Sequence, residues 1–318
     1  MSDRAQEVML FAGSSHLQLA NKVATHLDIR LGNALVTTFS DGETRVELRE
    51  NVRGADIFIL QSTGYPANHH IMEALIMADA CRRASANKIT LVTPYFGYAR
   101  QERKNTPRTP ITAKLVADLI EKAGIDRLVA MELHTGAIQG FFTVPVDHLF
   151  VKPVFVEYLQ NTLSDDKQVV VAPDAGGVER ARAYSKYFGN SLVVMDKRRE
   201  RPNESSIHHI IGDVEGKHCY VVDDIVDTAG TLVAVAQSLM DHGALSVRAA
   251  IAHALLSGKA IEKIEASALG ELVVSDSLPL SKEAQACTKI TQLSVCGLVG
   301  EAIKRIHNQQ SVSALFIE

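Results

Sequence analysis

The segment Cys219-Tyr220-Val221-Val222-Asp223-Asp224-Ile225-Val226-Asp227-Thr228-Ala229-Gly230-Thr231 decides the fold class. Its opening residues are apolar at consecutive rather than alternate positions, the pattern of a strand covered on both faces and so of a parallel sheet between helices. Cys219 falls within that run as plain core. The strand ends in two adjacent carboxylates, Asp223 and Asp224. A loop of small and polar residues follows, and then Leu232, Val235/Ala236 and Leu239 recur at helical spacing.

The same rhythm extends outward in both directions. Candidate strands are Val8–Ala12, Ala34–Phe39, Asp56–Gln61, Lys88–Pro94, Arg127–Glu132, Gln168–Pro173, Ser191–Asp196, His218–Asp223, Val247–Ala252, Glu271–Ser275 and Lys289–Leu293. Helical stripes lie between them, among them Leu17, Ala20, Val23/Ala24, Leu27 and Ala113, Val116/Ala117, Ile120. Thr44–Leu48 alternates and reads as an antiparallel hairpin arm. Strands alternating with helices predict an α/β fold of mainly parallel sheets flanked by helices. At 318 residues, two domains are expected. No Gly/Ser- or Pro-rich linker separates them, and the boundary is placed near Val144-Pro145-Val146-Asp147. The expected division is 1–147, 148–307, and a segment 308–318 that packs back on the first domain.

Composition removes several classes of function. With Lys+Arg at 33 against Asp+Glu at 37, the net charge is -4, so there is no positive field to hold a nucleic-acid backbone. Trp is absent and aromatics make up 5%, which argues against base stacking on single strands. No apolar run approaches the ~18–20 residues of a membrane span, and the polar start lacks a signal-peptide pattern. Cys81, Cys219, Cys287 and Cys296 show no C-x-x-C spacing, which suits reduced thiols in a cytoplasmic protein.

The chemistry of the deciding segment follows from its residue types. Small residues let backbone N–H groups approach a ligand, the helix N-terminus adds positive potential, and Thr228 and Thr231 add hydroxyl donors. Together they suit a phosphate monoester. The carboxylates beside them suit the vicinal hydroxyls of a sugar, or a metal held on those hydroxyls. The plainer alternative is a capped helix with Asp227 or Thr228 as N-cap, but a cap needs one such residue and here five cluster. The segment resembles the ribose-phosphate loop of type I phosphoribosyltransferases. Three further motifs each follow or close a strand: Phe39-Ser40-Asp41-Gly42-Glu43, Tyr95-Phe96-Gly97-Tyr98-Ala99-Arg100-Gln101-Glu102-Arg103-Lys104, and Asp196-Lys197-Arg198-Arg199. With the acidic pair, they make the chain resemble the ribose-phosphate pyrophosphokinases over nearly its whole length. Gly140-Phe141-Phe142, Pro173-Asp174-Ala175-Gly176-Gly177 and His209-Ile210-Ile211-Gly212-Asp213 extend the resemblance.

This resemblance implies two type I phosphoribosyltransferase-like domains and transfer of a pyrophosphoryl group from ATP to the 1-hydroxyl of ribose 5-phosphate. Phe39, Asp41, Gly42 and Glu43, with Arg100, Gln101, Glu102 and Arg103, would line the ATP site. Asp223, Asp224, Asp227, Thr228, Ala229, Gly230, Thr231 and Arg199 would hold ribose 5-phosphate. Lys197 and Arg199 would be the catalytic cations, carried by a mobile lid over 200–206, since phosphoryl transfer needs positioning and charge stabilisation more than covalent help. His134 and Asp174 would ligate Mg²⁺. Arg53, Ser85, Arg108, Ser311 and Ser313 would form a regulatory site for inorganic phosphate and ADP, and the family assembles as homohexamers. Taken alone, Asp41-Gly42-Glu43 is equally a turn and Arg100–Lys104 a solvated basic stretch. The adjacent pairs His69-His70 and His208-His209 lack zinc spacing and are expected at a surface or interface. Departures from the family pattern are Glu132, Thr135-Gly136, Glu102, Glu200 and His69. A phosphoribosyltransferase with an extra domain and a non-catalytic regulatory relative are the competing readings. The first would not need all three motifs together, and the second would be expected to lack ligand residues that are present here.

Overall fold

The computed structural model describes residues 7–160, 167–198 and 207–316, with the side chains of Lys197, Arg198, Ile207 and His208 outside the description. In chain order the first elements are β1 (Val8–Ala12), α1 (Leu17–His26), β2 (Ala34–Thr38), β3 (Thr44–Leu48), β4 (Asp56–Leu60), α2 (Ala67–Arg83), β5 (Lys88–Thr93), α3 (Thr112–Ala123), β6 (Arg127–Met131) and β7 (Val146–Leu149). They continue with α4 (Lys152–Leu159), β8 (Gln168–Ala172), α5 (Val178–Phe188), β9 (Ser191–Arg198), β10 (Ile207–Ile211), β11 (His218–Val226) and α6 (Gly230–Asp241). The last are β12 (Ser246–Ala254), α7 (Ala260–Glu265), β13 (Leu269–Ser275), α8 (Lys282–Ala286), β14 (Ile290–Leu293) and α9 (Cys296–His307).

The chain forms two units. The first comprises residues up to Phe150 with Ser277–Pro279 and Ser294–Phe316; the second comprises Val151–Asp276 and Leu280–Leu293. Unit 1 is built on a parallel sheet in the order β1-β4-β5-β6-β7. Phe11, Ile57, Ile59, Leu91 and Leu128 from its strands pack against Met77, Ala117 and Ile120 from α2 and α3. Unit 2 carries the order β10-β9-β8-β11-β12-β13-β14, parallel throughout except for the antiparallel β9–β10 pair. Val171, Val221, Ala249 and Leu272 meet Val235 and Leu239 of α6 in its core. β11 lies between β8 and β12, which is why its apolar residues need not alternate. The fold is the expected α/β arrangement of mainly parallel sheets. The cysteines of the described residues are free thiols, and burial pushes the Cys219 thiol up to about 12, as suits a core position. No helix among the described residues is long and apolar enough to cross a membrane.

Four details differ from the sequence reading. Ala34–Phe39 is not a strand of the parallel sheet: β2 pairs only with β3 as an antiparallel two-stranded ribbon, one end exposed, because Thr44–Leu48 alternates and supports a single buried face. β7 lies where the boundary was expected, so the division falls after Phe150 rather than at 147. Helix α9 was assigned to the second domain by the 148–307 division but belongs to unit 1. Its buried Val299, Gly300, Ala302 and Ile303 form a face toward α1, and Gly300 lies against the His26 ring at a place where a Cβ would come within 2.5 Å. Finally, His70 is buried rather than on the surface, with Nδ1 2.9 Å from the Gly64 carbonyl, while His69 pairs with Glu73 at 3.0 Å. Phe316 packs edge-to-face on Phe150 at 5.3 Å, within unit 1.

The loop after β5 is pinned to the extension of β4. Thr63 Oγ1 accepts from Gly97 N at 2.6 Å, and Thr63 N donates to the Tyr95 carbonyl at 2.8 Å. A Cβ on Gly97 would sit 2.3 Å from the Thr63 carbonyl oxygen, a backbone atom that cannot swing away. Gly97→Ala is therefore expected to lower the unfolding free energy by about 1–3 kcal/mol through overpacking. Chemical denaturation checks this, and an unchanged midpoint would refute the close approach.

Candidate active site

In unit 2 the carboxyl end of β11 delivers Asp223 and Asp224, and Arg180 of α5 reaches both. Arg180 Nη1 lies 3.4 Å from Asp223 Oδ1 and 3.5 Å from Asp224 Oδ1. Consecutive strand residues face opposite ways, and the pair is drawn together by a hydrogen bond from Asp224 N to Asp223 Oδ1 at 2.9 Å. Asp224 is buried and Asp223 half-buried. Burial first, and then the like charge of Asp224, push the Asp223 carboxyl up to about 8, with Arg180 acting in the opposite direction.

Asp227 to Thr231 form the loop between β11 and α6. Ala229 takes a left-handed conformation, φ +59, immediately before Gly230 opens the helix. The loop is tied from outside: Ser257 Oγ donates to the Asp227 carboxylate, Ser257 N donates to the Asp227 carbonyl at 3.0 Å, and Lys263 Nζ donates to the Thr228 carbonyl at 3.0 Å. No side chain caps α6, so the helix-cap alternative for Asp227 and Thr228 is not what the loop does. Thr228, Gly230 and Thr231 are exposed, so the backbone N–H groups at this helix start are placed where an anion could reach them. Asp174, at the end of β8, accepts from Gly177 N at 3.0 Å and fixes the entry to α5; a Cβ on Gly177 would stand 3.8 Å from Asp223 Oδ1. Asp174, Asp223 and Arg180 thus gather around the first turn of one helix. The sequence reading missed Arg180, Ser257 and Lys263. Each lies on a separate element from β11 and carries no motif of its own; only the sheet order brings them in.

In unit 1, Phe39–Glu43 is the turn of the β2–β3 ribbon. Phe39 N donates to the Glu43 carbonyl at 2.8 Å, Gly42 N to the Phe39 carbonyl at 3.0 Å, and Glu43 N to Asp41 Oδ1 at 3.1 Å. The turn leaves the Phe39 ring exposed, with the Arg45 guanidinium 5.7 Å from its centroid. Arg100 and Gln101 lie in a single 3-10 turn after β5, entered through Tyr98 at φ +63; Gln101 Oε1 accepts from Thr112 Oγ1 at 2.6 Å, and Glu102 pairs with Arg103 at 3.4 Å. The ribbon and this turn sit on separate elements, the ribbon against α2 and the turn beside α3.

His134 is exposed at the end of the turn after β6. That turn is held by Glu132 N on the Leu149 carbonyl at 2.8 Å and by Leu133 N on His148 Nε2 at 2.9 Å. His148 therefore accepts through Nε2, a supporting role that sequence alone did not suggest. Among the regulatory candidates, Gly54 N, next to Arg53, donates to the Ser85 carbonyl at 2.9 Å, and Ser311 and Ser313 share a hydrogen bond of 2.8 Å; Arg108 lies apart on the loop before α3. Lys197 stands opposite His208 in the β9–β10 register. Arg199 and the lid expected over 200–206 lie outside the described residues.

Among the described residues no three His, Cys, Asp or Glu side chains converge as a metal cage. The exposed Asp174 carboxylate nonetheless fits Mg²⁺, a cation commonly held by one or two carboxylates with phosphate oxygens completing its shell. His134, a nitrogen donor, fits that ion less well.

The raised Asp223 carboxyl has a consequence for stability. Its folded value lies above the 3.8 of a free aspartate, so the folded state binds the extra proton and this group withdraws stability as pH rises between those limits. Thermal unfolding of Asp223→Asn and the unchanged protein should show a Tm difference that widens in favour of the variant from pH 5.5 to 8.5 and then levels off. A difference that stays constant with pH would contradict the repulsion described here.

Residues 8–124 match the family model of the N-terminal domain of ribose phosphate pyrophosphokinase, and residues 194–317 match the phosphoribosyl synthetase-associated domain. The ribose-phosphate pyrophosphokinase of Agrobacterium fabrum is 51% identical over 307 residues, 96% of this chain and 99% of that protein. The one from Oceanobacillus iheyensis is 50% identical over 315 residues, 99% of each. The crystal structure of phosphoribosylpyrophosphate synthetase from Mycobacterium smegmatis matches with a TM-score of 0.91 at 38% identity, covering 96% of this chain and 100% of that one. The two mainly parallel sheets are accordingly those of two phosphoribosyltransferase-like domains. With likeness running end to end at about half identity, the chain belongs to the ribose-phosphate pyrophosphokinase family of enzymes.

Proposed function

We propose that the protein transfers the terminal pyrophosphoryl group of ATP to the 1-hydroxyl of ribose 5-phosphate. The hydroxyl oxygen bonds to the β-phosphorus, the bond from that phosphorus to the α–β bridging oxygen breaks, AMP departs, and the hydroxyl proton is released. The carrying observation is the grouping in unit 2: an acidic pair, its arginine, and an exposed small-residue loop at a helix start, in a chain whose relatives bear this name.

In this reading the backbone of Asp227–Thr231 cradles the 5-phosphate, and Asp223 and Asp224 accept from the ring hydroxyls. The exposed Phe39 ring stacks on the adenine, with Asp41, Gly42 and Glu43 beside it, and Arg100, Gln101, Glu102 and Arg103 serve the nucleotide. Lys197 and Arg199 neutralise charge gathering on the transferred phosphorus. Asp174 and His134 would hold Mg²⁺, which when bound screens the polyphosphate. Arg53, Ser85, Arg108, Ser311 and Ser313 would bind inorganic phosphate or ADP as effectors. The free thiols suit a reducing cytoplasm. Assembly into a homohexamer is what the family resemblance implies, and an exposed apolar stripe, Ile111 just before α3 with Leu115 and Leu119 on it, supports self-association.

The decisive assay mixes protein, ATP, ribose 5-phosphate, Mg²⁺ and inorganic phosphate. AMP and 5-phosphoribosyl 1-pyrophosphate should appear in equal amounts; neither product forming while both substrates bind would favour a regulatory relative. Lys197→Ala should lower kcat by at least ~100-fold with little change in KM, and an unchanged kcat removes Lys197 from the reaction. The double variant Leu115→Glu/Leu119→Glu should have a smaller molar mass by light scattering than the parent; equal masses would reject this face as an interface.

A further inference from the structure

Two side-by-side carboxyl groups share one guanidinium. Arg180 lies in the first turn of α5, whose entry is held by the Asp174–Gly177 hydrogen bond. The guanidinium is largely buried, and its 3.4 and 3.5 Å contacts to Asp223 Oδ1 and Asp224 Oδ1 are long. Each carboxylate has about four acceptor sites, so a single guanidinium does not by itself exhaust the pair. Nearby charged or titratable groups are Asp174 before α5, Asp227 in the following loop, and His253 on β12, which lies opposite Ile225 in the register.

We propose that Arg180 is a positioning residue for the sugar: one guanidinium shared by Asp223 and Asp224 holds both carboxylates as acceptors, set for the two donors of a vicinal diol. The inference rests on the reading of these carboxylates as the sugar-binding pair. It also assigns specificity. A site built to accept from two hydroxyls rejects a sugar lacking one, because an acceptor is then left unpaired. Arg180 accordingly favours ribose 5-phosphate over 2-deoxyribose 5-phosphate.

The test is steady-state kinetics of the full-length enzyme with both sugar phosphates. Arg180→Met should raise KM for ribose 5-phosphate roughly 10-fold or more, leave KM for ATP within about 2-fold, and shrink the preference over the deoxy sugar. Arg180→Lys should recover part of the KM and part of the preference, since it restores charge without the fork. Equal losses toward ATP and the sugar, or an undiminished preference, would overturn the proposal. If Arg180→Met does not fold, Arg180→Lys decides: an intermediate KM with reduced preference supports it, and parental values overturn it. A parent enzyme that makes no product from ribose 5-phosphate would instead overturn the sugar-site reading on which the proposal stands.

Discussion

Two adjacent carboxyl groups at the end of one buried strand impose the constraint around which unit 2 is arranged. Asp223 and Asp224 cannot both shed water without a cation nearby and a backbone that holds them. Their strand is central, so the cation must come from a flanking helix, and α5 supplies it from the side of β8. The loop that follows leaves Thr228, Gly230 and Thr231 exposed. It is secured from behind, by Ser257 and Lys263, rather than capped from within.

A raised carboxyl and a helix start without a side-chain cap both cost stability, and the surrounding core offsets them. Val171, Val221, Ala249 and Leu272 are fully buried around the strand that carries the pair. At roughly 1.5–3 kcal/mol for each fully buried Val or Leu side chain, such a core can hold a locally unfavourable site. Unit 1 shows the same division of labour. Its sheet packs an apolar core against α2 and α3, while the Phe39 turn and the Arg100 turn project from strand ends and carry exposed polar and aromatic groups.

Much of this was legible in the amino-acid order. β11 and its loop announced themselves because consecutive apolar residues, two carboxylates and a run of small residues fall within one short window. The β2–β3 ribbon was half legible: Thr44–Leu48 alternates clearly, but Ala34–Phe39 looks like a buried strand until its partner is known. Arg180 was not legible, since an arginine in the first turn of a helix is ordinary in sequence and becomes special only when the sheet order puts that helix beside β11. The placement of α9 escaped for the same reason. Its apolar stripe shows that it packs on something, and only the fold shows that the something is α1.

That last placement sets the order in which the molecule can be finished. Unit 1 begins with β1 and is closed by α9, so the surface of α1 that α9 covers stays bare on the ribosome until the whole of unit 2 has been synthesised. Translation proceeds at about 5–20 residues per second, and domains ordinarily fold as they emerge. Here the domain begun first is the one completed last, and a nascent chain interrupted before Ser294 would leave the ribosome with its first domain unsealed.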